Sequence, residues 1–190
     1  GRQVYLATGS SGRLPRRYRG DDTVRWLQRM GALDQTVDQL PSPADRLRQN
    51  PHASGKDGGH TITLHRFSRD GITLLGHLRE ARRTHLAIAP DLHQNLAAAD
   101  RAAREFKQGV VKFIAQHGLH APEDDQPELR DGYEAPVLTE LDLEAADIRT
   151  VVWATGYSFD FTWIKFPILD EFGYPVQRRG VTAQPGLYFL

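Results

Sequence analysis

Cysteine is absent, which removes disulfides, thiolate zinc sites and cysteine nucleophiles in one step. Net charge is missing too: 24 Lys and Arg balance 24 Asp and Glu, so no overall field draws the chain to nucleic acid or anionic lipid. No apolar run approaches the roughly 20 residues of a membrane span, and no signal peptide is visible. These absences predict a cytoplasmic chain with no membrane span and no nucleic-acid partner. What is present is ordinary for a globular protein. Hydrophobic residues make up 39% and charged residues 25% of 190 positions, enough for one sizeable core, or for one domain plus pieces of another.

Several catalytic signatures are also missing. There is no G-x-G-x-x-G, and "GSSGR" does not match a phosphate loop ending in Gly-Lys-Ser/Thr. The eight histidines are scattered, with none at the i, i+4 helical spacing of a zinc motif, so no metal site is expected. No nucleophile elbow or triad is evident, and no catalytic residue can be named. The single methionine is Met30, and both ends fall in apolar strand-like runs, "QVYLA" and "PGLYFL". Unpaired apolar strand ends are an aggregation hazard, so the chain is expected to be a fragment of a longer protein.

Along the chain, residues 4–7 predict a short buried strand, bounded by the turn-like "TGSSG". The segment 21–31, "DDTVRWLQRMG", predicts a helix, with two aspartates at its start, Val24, Leu27 and Met30 on one face, and Gly31 at its end. Residues 41–59 are rich in proline, glycine and polar groups and read as a long loop of the functional kind. "GITLLGHL" (71–78) and "THLAIAP" (84–90) predict a hairpin connected by the charged "REARR". From 91 to 117, Leu92, Leu96, Ala99, Ala103, Phe106, Val110, Phe113 and Ile114 form one apolar helical stripe. An acidic linker (121–136), an ambiguous "LTELDL" and the strand-like "IRTVVWATG" follow. Strands alternating with helices predict an α/β fold with parallel pairing.

The tripeptide Ala-Thr-Gly occurs twice, at 7–9 and 154–156, each time after an apolar run. Ligands of doubly wound α/β folds bind beyond the carboxyl ends of the strands, and a glycine there admits close backbone approach. Each glycine can equally serve only a left-handed turn. The first corner runs on into "TGSSGRLPRRYRG", with Ser10, Arg13, Arg16 and Arg17 just after a strand. An acid at that strand end would accept from the ribose hydroxyl of NAD, whereas arginines accommodate the additional phosphate of NADP. As a dinucleotide strand, this one prefers NADP. A solvated basic turn pairing with Asp21 and Asp22 is the plainer alternative, and a nucleic-acid patch is a third.

"VYLATGSSGRLPRRYRGDD…WL", "NPHASGKDGGHTITL", "DGITLLGHL", "VVWATGYSFDF" and "GYPVQRRGVTAQPGLYFL" resemble the C-terminal half of class B flavoprotein monooxygenases. These are the relatives of the flavin-containing and Baeyer–Villiger enzymes, including bacterial flavoproteins labelled as linked to cation transport. The resemblance implies a partial Rossmann-like fold. Residues 1–150 would be most of an NADPH-binding domain without its first strand and glycine-rich loop. Residues 151–190 would return to an FAD-binding domain whose N-terminal half is missing. It implies FAD and NADP as cofactors and a parent enzyme that inserts one oxygen atom into a small-molecule substrate through a peroxyflavin, with the fragment itself inactive. Ser10, Arg13, Arg16 and Arg17 would lie on the NADP 2′-phosphate side. Ala154, Thr155 and Gly156 would lie near the flavin–nicotinamide junction, with Tyr157 packed behind. A disulfide-reductase-like flavin oxidoreductase and a stand-alone nucleotide-binding or interaction module are the rival classes.

Overall fold

The computed structural model describes residues 2–9, 12–47, 52–124 and 127–189. The chain divides into two compact units, Gly1–Arg149 and Thr150–Leu190. The first is mixed α/β. Its elements are β1 (Tyr5–Ala7), β2 (Arg17–Tyr18), β3 (Asp21–Asp22), α1 (Thr23–Arg29), α2 (Leu64–Arg69), β4 (Thr73–Leu75), β5 (Leu78–Arg82), β6 (His85–Ile88), α3 (Leu92–Gln116) and β7 (Glu140–Asp142). Short 3₁₀ turns at Pro43–Leu47, Lys56–Gly58 and Asp131–Glu134 interrupt the loops.

Helix α3 organises this unit. At 25 residues and about 1.5 Å per residue it is long enough to serve two cores. Its first half contributes Leu92, Leu96 and Ala99 to a cluster with Leu64 of α2 and Leu74 of β4. Its second half contributes Phe106 and Val110 to a cluster with Tyr18 and Trp26. Helix α1 begins where Asp22 accepts a hydrogen bond from the Val24 N–H at 2.9 Å, and Gly31 follows its end with φ +74°. Leu27 and Met30 pack against this second cluster as expected, but Val24 does not, and Trp26 takes its place. Trp26 is 1% exposed and Val24 47%, because the indole reaches the α3 cluster and donates from Nε1 to the Tyr18 carbonyl at 2.8 Å.

The sheets are small. β1 pairs in parallel with β4, placing Tyr5 beside Thr73, Leu6 beside Leu74 and Ala7 beside Leu75. β5, β6 and β7 form an antiparallel three-stranded sheet. The expected hairpin is therefore redrawn. "TLL" of 73–75 goes to β1, and most of the charged "REARR" expected to be the connection joins Leu78 in the first hairpin strand, which turns at Arg83 with φ +53°. Leu74 and Leu75 are both buried, which suits a strand covered on two faces, whereas all five residues of β5 are exposed, which suits a charged edge strand. The acidic segment 121–136 is more than a linker, since its 3₁₀ turn buries Gly132 against α2 and α3. α2 went unread in the sequence. Thr63 caps it, accepting from the Arg66 N–H at 2.9 Å.

In the second unit, β8 (Gln177–Arg178) and β9 (Val181–Thr182) form a two-residue hairpin through Arg179 and Gly180, both at positive φ. Ile164 and Ile168 are its buried hydrophobic residues. Residues 151–153 form no strand, contrary to expectation. Val152 is 81% and Trp153 72% exposed, and no ladder partner meets them among the described residues. Among the described residues no helix is long and apolar enough to cross a membrane.

Candidate functional site

Parallel pairing brings the carboxyl ends of β1 and β4 side by side, so Thr8 and Gly9 emerge beside Gly76 and His77. Thr8 is buried, and both its backbone N–H (2.9 Å) and its hydroxyl (2.7 Å) donate to the Leu75 carbonyl. A Cβ at Gly76 would collide with the Ala89 carbonyl oxygen and with Asp91 Oδ1. Only glycine lets the chain pass this close to the start of α3.

Asp91 uses that closeness. It occupies the N-cap position of α3, yet its carboxylate does not cap the helix. It turns to His77, accepting from the backbone N–H at 3.0 Å and from the ring Nδ1–H at 2.7 Å. Burial works against the Asp91 charge, but the hydrogen bonds from the His77 backbone and ring outweigh it and hold the carboxyl below the ordinary carboxylate range. One turn on, buried Asn95 donates from Nδ2 to the Thr8 carbonyl and hydroxyl oxygens, both at 3.2 Å, and to Asp91 Oδ1 at 3.3 Å. The His77 side chain is half exposed, and its Nε2 lies 3.6 Å from where a Cβ on Gly9 would sit. Sequence reasoning missed this corner, since His77 stood in a strand and Asp91 and Asn95 in a helix.

The basic turn follows Gly9. Ser10 lies outside the described residues. Gly12 packs its backbone against α3, where a Cβ would come within 2.9 Å of the Ala102 methyl, and its carbonyl accepts from the His52 N–H at 3.0 Å. The three arginines then meet three different fates. Arg16 pairs with Asp22 at 2.9 Å, as the plainer alternative anticipated. Arg17 is exposed in β2 without a carboxylate partner among the described residues. Arg13 is half-buried with its guanidinium 6.0 Å from the Phe67 ring centre, and no carboxylate among the described residues reaches it. Its Nε is buried without a hydrogen-bond partner. Burial lowers its pKa from the ordinary guanidinium value. Asp21 is taken by Arg25 and Arg29, at 3.5 and 3.1 Å.

Ala154, Thr155 and Gly156 belong to the second unit and are exposed. Gly156 has φ +82°, and nothing lies within 4 Å of where its Cβ would be. Tyr157 is fully exposed and does not pack behind this corner.

Two other features compete for attention. His65, buried in α2, accepts from the Gly132 N–H at 3.0 Å through Nδ1, which leaves Nε2–H to donate to Asp100 at 3.1 Å. The Tyr133 hydroxyl donates to the same carboxylate at 2.7 Å, and burial with this bond pushes its pKa up to about 12. Every ring nitrogen of His65 is used internally, so this network joins α2, α3 and the 3₁₀ turn and offers nothing to a ligand. A cleft of about 630 Å³ lies between α1 and the end of α3, lined by Trp26, Phe113 and Pro122 among others. Its arginines are already engaged, Arg29 with Asp21 and Arg19 with the Pro122 carbonyl. Among the described residues no group of three His, Asp or Glu side chains could hold a metal ion.

No family model and no solved structure matches the chain. Part of it is similar to curated bacterial proteins. An uncharacterized oxidoreductase CzcO-like of Geobacillus kaustophilus is 44% identical over 55 residues, 28% of this chain and 16% of the relative. The uncharacterized oxidoreductase CzcO of Bacillus velezensis is 36% identical over 50 residues, 26% of this chain and 14% of that protein. The Bacillus subtilis protein of the same name is 34% identical over 50 residues. The matched stretch therefore spans about a sixth or less of these relatives.

Proposed function

We propose that this chain is the NADPH-handling part of an oxidoreductase, and that the parent enzyme is an FAD-dependent monooxygenase. The observation that carries the reading is Arg13. A half-buried guanidinium that finds no partner for its Nε and no carboxylate among the described residues calls for an external anion, and it sits four residues beyond the glycine that follows a parallel strand. A phosphate on a nucleotide ribose supplies the missing charge and acceptors. Arg17, exposed in β2, is a second donor without a carboxylate partner among the described residues, whereas Arg16 is held back by Asp22. The oxidoreductase names of the relatives support the same class.

When bound, NADPH supplies hydride to flavin, and the reduced flavin supplies the electrons for oxygen chemistry. This chain's residues contribute binding and orientation. No comparable fit to flavin exists among the described residues of the second unit, where the surroundings of Gly156 are open.

The test is nucleotide affinity in the full-length protein. Arg13→Ala should weaken NADPH binding by about tenfold or more, consistent with losing a charge-assisted contact of roughly 1.5–3 kcal/mol, and should change NADH binding by less than twofold. Equal losses for both nucleotides would remove the phosphate assignment. NADPH-dependent oxygen uptake, with one labelled oxygen atom appearing in product, tests the monooxygenase class.

A further inference from the structure

The corner of Thr8, His77, Asp91 and Asn95 is built more elaborately than packing requires. An aspartate at a helix N-cap ordinarily accepts from the helix's own amides. Asp91 leaves them and fixes His77 through two hydrogen bonds, while Gly76 is required to let it do so. With Nδ1–H donated to Asp91, the neutral ring keeps a lone pair on Nε2. That nitrogen has no partner among the described residues, belongs to a half-exposed side chain, and faces the space over Gly9 that a Cβ would narrow.

We propose that His77, oriented by Asp91, is a ligand contact at the ends of β1 and β4: its Nε2 accepts a hydrogen bond from a hydroxyl of the adenosine ribose. The inference rests on the nucleotide reading above and deepens it. An acceptor nitrogen selects a hydroxyl rather than a phosphate. Arg13, four positions beyond Gly9 in sequence, takes the ribose phosphate in the reading above, and on a sugar that carries this phosphate the neighbouring hydroxyl is the one left free. Asp91 is a positioning residue that acts only through the ring.

The experiment compares NADP⁺ with its analogue lacking the 3′-hydroxyl of the adenosine ribose, using dissociation constants for the full-length chain. The unmodified chain should bind the analogue about fivefold more weakly. His77→Ala should bind NADP⁺ about fivefold more weakly and lose nothing further with the analogue. Asp91→Asn keeps the histidine but presents an amide nitrogen to Nδ1, because the backbone N–H of residue 77 claims the remaining oxygen. Its ring should then carry the proton on Nε2, and that switch of tautomer in the ¹⁵N NMR shifts reports that Asp91 sets the orientation and protonation of the ring. Normal, Arg13-dependent NADP⁺ binding by His77→Ala, or independent losses from the variant and the analogue, would overturn this proposal alone. Absence of any nicotinamide nucleotide binding by the unmodified chain would overturn the functional reading and this one with it.

Discussion

Ala-Thr-Gly occurs at 7–9 and at 154–156, and the two copies meet opposite surroundings. Thr8 is 5% exposed and bonded on three sides, to Leu75 through its amide and hydroxyl and to Asn95 through its carbonyl. Thr155 is exposed, and its hydroxyl has no partner among the described residues. Both tripeptides follow apolar residues, so local propensity is nearly matched. What differs is that "YLA" finds a parallel partner in β4 and a helix start beyond it, while "VVW" finds neither. A strand-like run becomes a strand only when another strand takes its backbone hydrogen bonds.

The sharpest way to break this comparison is at the glycines. Gly76→Ala drives a methyl into backbone and into the Asp91 carboxylate, and should destabilise the first unit by about 2–4 kcal/mol in chemical denaturation. Gly156→Ala meets open space and carries only the strain of φ +82°, about 1 kcal/mol. Comparable costs at the two sites would mean that the first corner is not closed in solution. A smaller effect separates the threonines. Thr8→Val removes the buried hydroxyl bond to the Leu75 carbonyl and should cost about 1 kcal/mol, whereas Thr155→Val should stay within about 0.5 kcal/mol of the parent.

The weakest effect is the dependence on pH. The Asp91 carboxyl is held below its unfolded value, so its contribution is present above the unfolded pKa and is lost as pH falls through the folded one. The stability gap between the parent and Asp91→Asn should therefore narrow below about pH 4, where an unperturbed aspartate begins to take up protons. A gap constant from pH 7 to pH 2 would show that the charge on Asp91 contributes nothing through His77.

Much of the fold was legible because it is periodic. The stripe through Leu92, Leu96, Phe106 and Val110 predicted α3, and Asp22 with Gly31 bracketed α1. Within α1 the apolar count chose Val24, whereas the tertiary contact chose Trp26, since the larger ring buries more surface. Six-residue α2 was too short to show a period, and "REARR" was too charged to suggest a strand. At the site, the arginines of the basic turn stood out by composition. That Arg16 is neutralised while Arg13 meets Phe67 and no carboxylate among the described residues depends on where Asp22 and Phe67 lie.

The sequence by itself determined the balance of charge, the absence of thiol chemistry, the long helix and the position of the basic turn after a strand, because these follow from composition and from spacing along one element. The tertiary structure alone decided which Ala-Thr-Gly is enclosed and which lies exposed. It also joined His77 to Asp91 across a hairpin and Thr8 to Asn95 across 87 positions. Such contacts are set by how β4 pairs with β1 and how α3 packs beneath them, and no local pattern encodes that pairing.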